Sequence, residues 1–165
     1  MQLFRELVVS TLEDEENAIG SKDVIVEIDE SKFGVRKYHK GRLVDDAWVI
    51  GSIEHNNKRN MFLRVVKKRD ADIIKDIIVR YVKPGSIIMT DCWREYKDLE
   101  ELGVTHMTVN YNECFVDPET GAHTNTIEGT WGGVKLKVRS RNHNKGLIDN
   151  HLLEFIWRCR NEDNL

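Results

Sequence analysis

Along the chain the apolar positions first follow the short, β-branched rhythm of strands and then switch to the spacing of helices. VIVEID (24–29), KFGVRKYH (32–39), AWVIGSIEH (47–55) and MFLRVV (61–66) read as strands joined by hairpins, with polar turns at KGRLVDD and NNKRN. In ADIIKDIIVRYV (71–82) the period changes: Ile73, Ile74, Ile77, Ile78, Tyr81 and Val82 form one helical stripe, stopped by Pro84-Gly85. SIIMTD (86–91) is again strand-like, WREYKDLEELG (93–103) reads as a helix ended by Gly103, and THMTVN (105–110) as a strand. YNECFVDPETGAH (111–123) has the residues of a loop. TNTIEGTWGGVKLKVRS (124–140) places Ile127, Trp131, Val134 and Val138 at helical spacing, and LIDNHLLEFIWRCRN (147–161) closes the chain as an amphipathic helix. Ahead of all this, LFRELVVSTL supplies one short helix and EDEENAIGSKD an acidic linker. The expected organisation is therefore a helix and linker over 1–23 and one domain over 24–162.

Three hairpin-linked strands, a helix, a strand, a helix, a strand and closing helices predict an α/β domain with a mixed five-stranded sheet, antiparallel strands first and parallel strands after, flanked by helices. A right-handed crossover sets the SIIMTD strand parallel to VIVEID and beside it. That is the ribonuclease H-like arrangement.

At 165 residues the chain suits a single domain with an adequate core, and 32% charged residues with only 2 Pro exclude collagen-like or bulk disordered classes. Cys92, Cys114 and Cys159 form no CxxC pair, and with His123 they do not match the spacing of a zinc module. An odd number of scattered thiols, acids at the N-terminus and no apolar run long enough to span a bilayer predict an intracellular protein with no membrane association: nuclear in a eukaryote, cytoplasmic or nucleoid in a bacterium.

The net charge of −3 excludes a bulk positive field, but its distribution is uneven. Nine acids lie within residues 1–30, whereas 32–42 and 58–69 carry Lys and Arg with no acid, and 135–160 carries seven basic residues against Asp149 and Glu154. Such blocks produce a polarised surface when the fold gathers them, and ordinary solvated faces when it does not.

Asp29 ends VIVEID and Asp91 ends SIIMTD. If those strands are parallel neighbours, about 4.8 Å apart, both carboxylates emerge at one sheet edge. Two like charges so close repel unless a cation lies between them. A hard divalent ion, Mg²⁺ or Mn²⁺, suits such oxygens. Glu128 adds a third acid on the polar side of the later helix, sharing a face with Gly132 and Lys135, which leaves room there for a phosphate backbone.

IDESKFG, MTDCWREY and HTNTIEGTWGGVK together closely resemble the core of the DDE transposases, nearest the insertion-sequence (ISXO-like) group that includes the eukaryotic Merlin elements. The resemblance runs from about Val24 to Asn161, and 36 residues separate Asp91 from Glu128. It implies a ribonuclease H-like fold, catalytic residues Asp29, Asp91 and Glu128 holding two Mg²⁺ or Mn²⁺ ions, and metal-dependent DNA cleavage and strand transfer. Glu128 takes the third position on ligand strength and spacing, with Asn125 the other candidate. His123, Asn125, Lys135, Lys137, Arg139 and Arg141 are the expected DNA contacts, with DNA as partner and self-association on DNA. A nuclease or resolvase on the same fold, and a transposase-derived DNA-binding protein without transposition, are the competing readings. Trp131 is expected as a core anchor, Trp93 as packing beneath Asp91, and Cys92 as a small buried residue.

Overall fold

The computed structural model describes residues 18–34, 47–55, 60–110, 116, 121, 123–138 and 148–161. The expected N-terminal helix, the turns 35–46 and 56–59, most of the loop 111–122, and Arg139 and Arg141 lie outside the described residues.

Five strands form one sheet: β1 (Ile25–Phe33), β2 (Ala47–Glu54), β3 (Met61–Val66), β4 (Ile87–Asp91) and β5 (Thr105–Val109), in the order β3-β2-β1-β4-β5. β1 pairs antiparallel with β2 and β2 with β3, while β1–β4 and β4–β5 are parallel. Helix α1 (Ala71–Tyr81) makes the crossover from β3 to β4, and α2 (Asn125–Lys137) and α3 (Ile148–Arg160) follow β5. This mixed sheet with helices on both faces is the ribonuclease H-like arrangement that the element order predicts.

Strand alternation divides the core into two layers. Val26 and Ile28 of β1 join Ile50, Phe62, Ile88 and the α1 residues Ile74, Ile77, Ile78 and Tyr81 on one face. Phe33, Val49, Ile53 and Leu63 meet Ile127, Trp131 and Val134 of α2 and Leu152, Phe155 and Ile156 of α3 on the other. Asp70 caps α1 by accepting from the Ile73 N–H at 3.1 Å, a contact that contributes about 1 kcal/mol.

Four expectations are corrected. VIVEID and the start of KFGVRKYH are one strand, because β2 keeps pairing with β1 as far as Phe33↔Ala47. Asp29 therefore stands inside β1 rather than at its end. What ends near it is the parallel ladder to β4, which runs from Ile25↔Ile87 to Glu27↔Met89. Residues 93–103 do not form an α-helix but two 3₁₀ turns, Arg94–Tyr96 and Leu99–Leu102, separated by Asp98 at φ 62°. Asp tolerates that left-handed conformation better than most residues, and the break lets both Tyr96 and Leu99 bury fully. Ordered packing also begins before Val24: Ile19 is buried and forms a parallel bridge with Val82. Finally, Cys92 is exposed, with its Sγ 3.5 Å from the Val109 carbonyl, because it follows directly on the end of β4.

No helix among the described residues is long and apolar enough to cross a membrane.

Candidate active site

Continuing the β1–β4 register by two residues beyond Glu27↔Met89 sets Asp29 alongside Asp91, on the sheet face covered by α2. Each carboxylate is held by a neighbour. The indole Nε1 of Trp131 donates to Asp29 Oδ2 at 2.9 Å, and the Trp93 backbone N–H donates to Asp91 Oδ1 at 2.9 Å. Trp131 is thus both the expected core anchor and a positioning group. Buried against Phe33 with ring centroids 6.0 Å apart, it presents the polar edge of its ring to the acid.

Burial raises the Asp29 carboxyl above its ordinary range. The Glu30 backbone N–H and the Trp131 indole oppose the rise, and the charges of Asp91 and Glu128 add to it. All three predicted acids thus share one electrostatic neighbourhood. Glu128, in the first turn of α2, is exposed.

Glu30 points to the opposite face. Its carboxylate accepts from Tyr96 Oη at 2.6 Å and from Arg69 Nη1 at 3.1 Å. Burial is the main cause that raises its pKa, with Asp29 and Asp91 adding to the rise. Arg69 also stacks over Trp48 at 3.9 Å and Trp93 at 4.7 Å from the ring centroids. Trp93 packs edge-on against Tyr96, as expected of a residue beneath Asp91.

Lys135 lies on α2 two turns beyond Glu128, exposed, with its Nζ 5.7 Å from the centre of the Phe33 ring. Lys137 is likewise exposed and reaches over Phe155 at 5.7 Å. Asn125 is exposed at the start of α2. A Cβ on Gly132, on the same face as Glu128 and Lys135, would meet nothing within 4 Å, so that face is open. His123 differs from these residues: its Nδ1 is 3.3 Å from Glu27 Oε1 and its ring is 4.7 Å from that of His55.

Glu27 and His55 went unread in the sequence. Glu27 sits two residues before Asp29, flanked by Val24, Ile25, Val26 and Ile28, so the period of a strand places both acids on one face. A glutamate inside such an apolar run was the available signal. His55 carries no comparable sign, because only β1–β2 pairing brings it to Glu27.

A five-stranded β3-β2-β1-β4-β5 sheet, antiparallel at β1–β3 and parallel at β1–β4–β5, with helices on both faces, defines a ribonuclease H-like domain. The model of the ISXO2-like transposase domain matches residues 21–159, and the chain belongs to that family. The chain is also similar to an uncharacterized transposase-like protein of Haemophilus influenzae, 28% identical over 107 residues, which span 64% of this chain and 85% of that protein.

Proposed function

We propose that this domain is a divalent-metal-dependent DNA transposase core, with Asp29, Asp91 and Glu128 as its catalytic carboxylates. The observation that carries the reading is the grouping of these acids, with the charges of Asp91 and Glu128 adding to the burial that opposes ionisation of the half-buried Asp29. Such a set of hard oxygen donors fits Mg²⁺ or Mn²⁺ better than it fits a softer metal. When bound, a pair of such ions would polarise the scissile phosphate and stabilise charge on the attacking and leaving oxygens.

The chain's own groups prepare that site. Trp131 Nε1 donates to Asp29 Oδ2, the Glu30 backbone N–H also bonds that carboxylate, and the Trp93 N–H donates to Asp91 Oδ1. Both carboxylates are therefore oriented before any substrate arrives. The reaction class is phosphodiester hydrolysis that releases a 3′-hydroxyl, followed by attack of that hydroxyl on a second DNA strand. Lys135, Lys137 and Asn125 on the exposed side of α2 are assigned to the DNA backbone, and Arg139 and Arg141 continue the same basic run.

Supercoiled plasmid incubated with the protein tests the chemistry. Nicking that requires Mg²⁺ or Mn²⁺ and stops with a chelator is expected. Nicking that persists in excess chelator, or none with either ion, overturns the reading.

The DNA-facing surface has its own test. Lys135→Ala is expected to flatten the plot of log affinity against log salt by about one unit, as loss of one phosphate contact should. The fold should lose no more than the roughly 0.5–1 kcal/mol of an exposed cation–π contact. Lys22→Ala, ahead of β1 at the far end of the sheet, should leave the slope unchanged. Equal slopes for wild type and Lys135→Ala would remove α2 from the DNA surface.

A further inference from the structure

Glu27 is completely buried on β1, yet it is an acid. A buried carboxylate needs hydrogen bonds and a compensating positive charge. Part of this is visible. The Ile127 N–H, in the first turn of α2, donates to Glu27 Oε2 at 2.7 Å, and Ser52 Oγ on β2 donates to the Glu27 backbone carbonyl at 2.8 Å. The other carboxylate oxygen, Oε1, faces two imidazoles: Nε2 of His55, just after β2, and Nδ1 of His123, just before α2.

We propose that Glu27, His55 and His123 form a binding site for a zinc-class divalent cation, distinct from the carboxylate set of Asp29, Asp91 and Glu128. Among the described residues this is the one group of three or more His, Cys, Asp or Glu side chains whose ligand atoms all lie within 4.8 Å of one another. The His123 Nδ1 to Glu27 Oε1 separation is 3.3 Å, but the ring nitrogen is buried and makes no hydrogen bond among the described residues. Two donors bound about 2.0–2.1 Å from a common tetrahedral ion stand roughly 3.3–3.4 Å apart, so a shared cation accounts for a close pair that is not hydrogen-bonded.

The donor set identifies the metal class. Two imidazoles and one carboxylate match zinc sites with an open fourth position, whereas Mg²⁺ prefers oxygen ligands. The histidine side chains are 20% and 27% exposed, which gives an ion a route in and a place for water. Outer contacts that hold the carboxylate ligand are also present: the Ile127 N–H bonds Glu27 Oε2 and Ser52 Oγ bonds the Glu27 backbone carbonyl.

Position gives the site a role. Its ligands come from β1, the end of β2 and the entry to α2, and Glu128 follows Ile127 directly. A bound ion therefore fastens the start of the Glu128-bearing helix to the sheet. This role does not depend on the chain being an active transposase.

The experiment is thermal unfolding of metal-stripped protein with added Zn²⁺ or Mg²⁺, together with Zn²⁺ stoichiometry by equilibrium dialysis. Wild type and the Asp29→Asn/Asp91→Asn double variant are both expected to bind a single zinc ion tightly and to melt at higher temperature with it. Mg²⁺ should not reproduce that gain in the double variant. His55→Gln and His123→Gln should each lose most of the zinc affinity. Zinc binding that survives both histidine replacements, or that disappears in the Asp29→Asn/Asp91→Asn variant, overturns the assignment. If the histidine variants fail to fold, wild type loaded with Co²⁺ decides. A visible band of tetrahedral nitrogen and oxygen coordination is expected, and its absence overturns the site in favour of a purely hydrogen-bonded cluster.

Discussion

Asp29→Asn is expected to silence metal-dependent strand cleavage while raising the melting temperature of the metal-free domain. Loss of a direct ligand should reduce cleavage by more than the roughly 10–100-fold typical of an outer-shell partner. The stability gain has the opposite sign for a physical reason. Burial raises the Asp29 carboxyl, so the folded state binds its proton more tightly than the unfolded state does. The stability this group lends is fully present below the unfolded value of about 3.9 and is lost as pH rises through the raised folded value. At neutral pH the charged side chain therefore opposes folding, and Asn removes that charge while still offering an oxygen to Trp131 Nε1. The variant should melt higher than wild type at pH 7, and its advantage should vanish near pH 4. In a domain of this size each 1 kcal/mol reads as about 2–4 °C. Melting curves at both pH values, without divalent ions, check the result. A variant less stable than wild type at pH 7 would make Asp29 a structural residue.

Gly51→Ala should produce the largest loss of stability from the smallest change. Gly51 pairs with Asp29 across β1 and β2, and Trp131 lies directly over it. A Cβ there would stand 2.6 Å from Trp131 Cη2 and Cζ2 and 2.9 Å from Leu63 Cδ2. Those atoms belong to a rigid indole and a packed leucine, so the overlap cannot be relieved by a flexible chain end. Overpacking of this kind costs about 1–3 kcal/mol, and displacement of the indole also withdraws its hydrogen bond from Asp29. Both the melting temperature and cleavage should fall. Trp131→Phe in the Gly51→Ala background should recover part of the stability, because the smaller ring vacates the space, but not the cleavage, because Phe has no N–H to hold Asp29. A Gly51→Ala protein with unchanged melting temperature would show that Trp131 is not seated there. Recovery of cleavage in the double variant would show that its N–H does not matter.

These two predictions separate what local pattern carries from what it does not. The strand and helix periods were legible because a buried face repeats every two or every 3.6 residues, whatever it packs against. The 71–81 helix and the five-stranded order follow from that rule and from the handedness of crossovers. The placement of Asp29 beside Asp91 also follows, even though Asp29 lies within its strand, because parallel pairing depends on register rather than on where a strand ends. Residues 93–103 misled for the converse reason. Their local composition favours helix, but burial of Tyr96 and Leu99 outweighs propensity, and Asp98 accommodates the break.

The sequence by itself therefore determined the layers and the strand order, since each arises from periodicity and chain direction. Only the tertiary structure decided which side chains meet across long separations. Trp131 reaches Asp29 across 102 positions, Ile127 reaches Glu27 across 100, and His55 reaches the same glutamate across 28. No local propensity encodes such meetings. The first two exist because a helix late in the chain packs its apolar stripe on the first two strands, so that polar groups at the margins of that stripe are buried together and must satisfy one another, and the third because β2 pairs with β1.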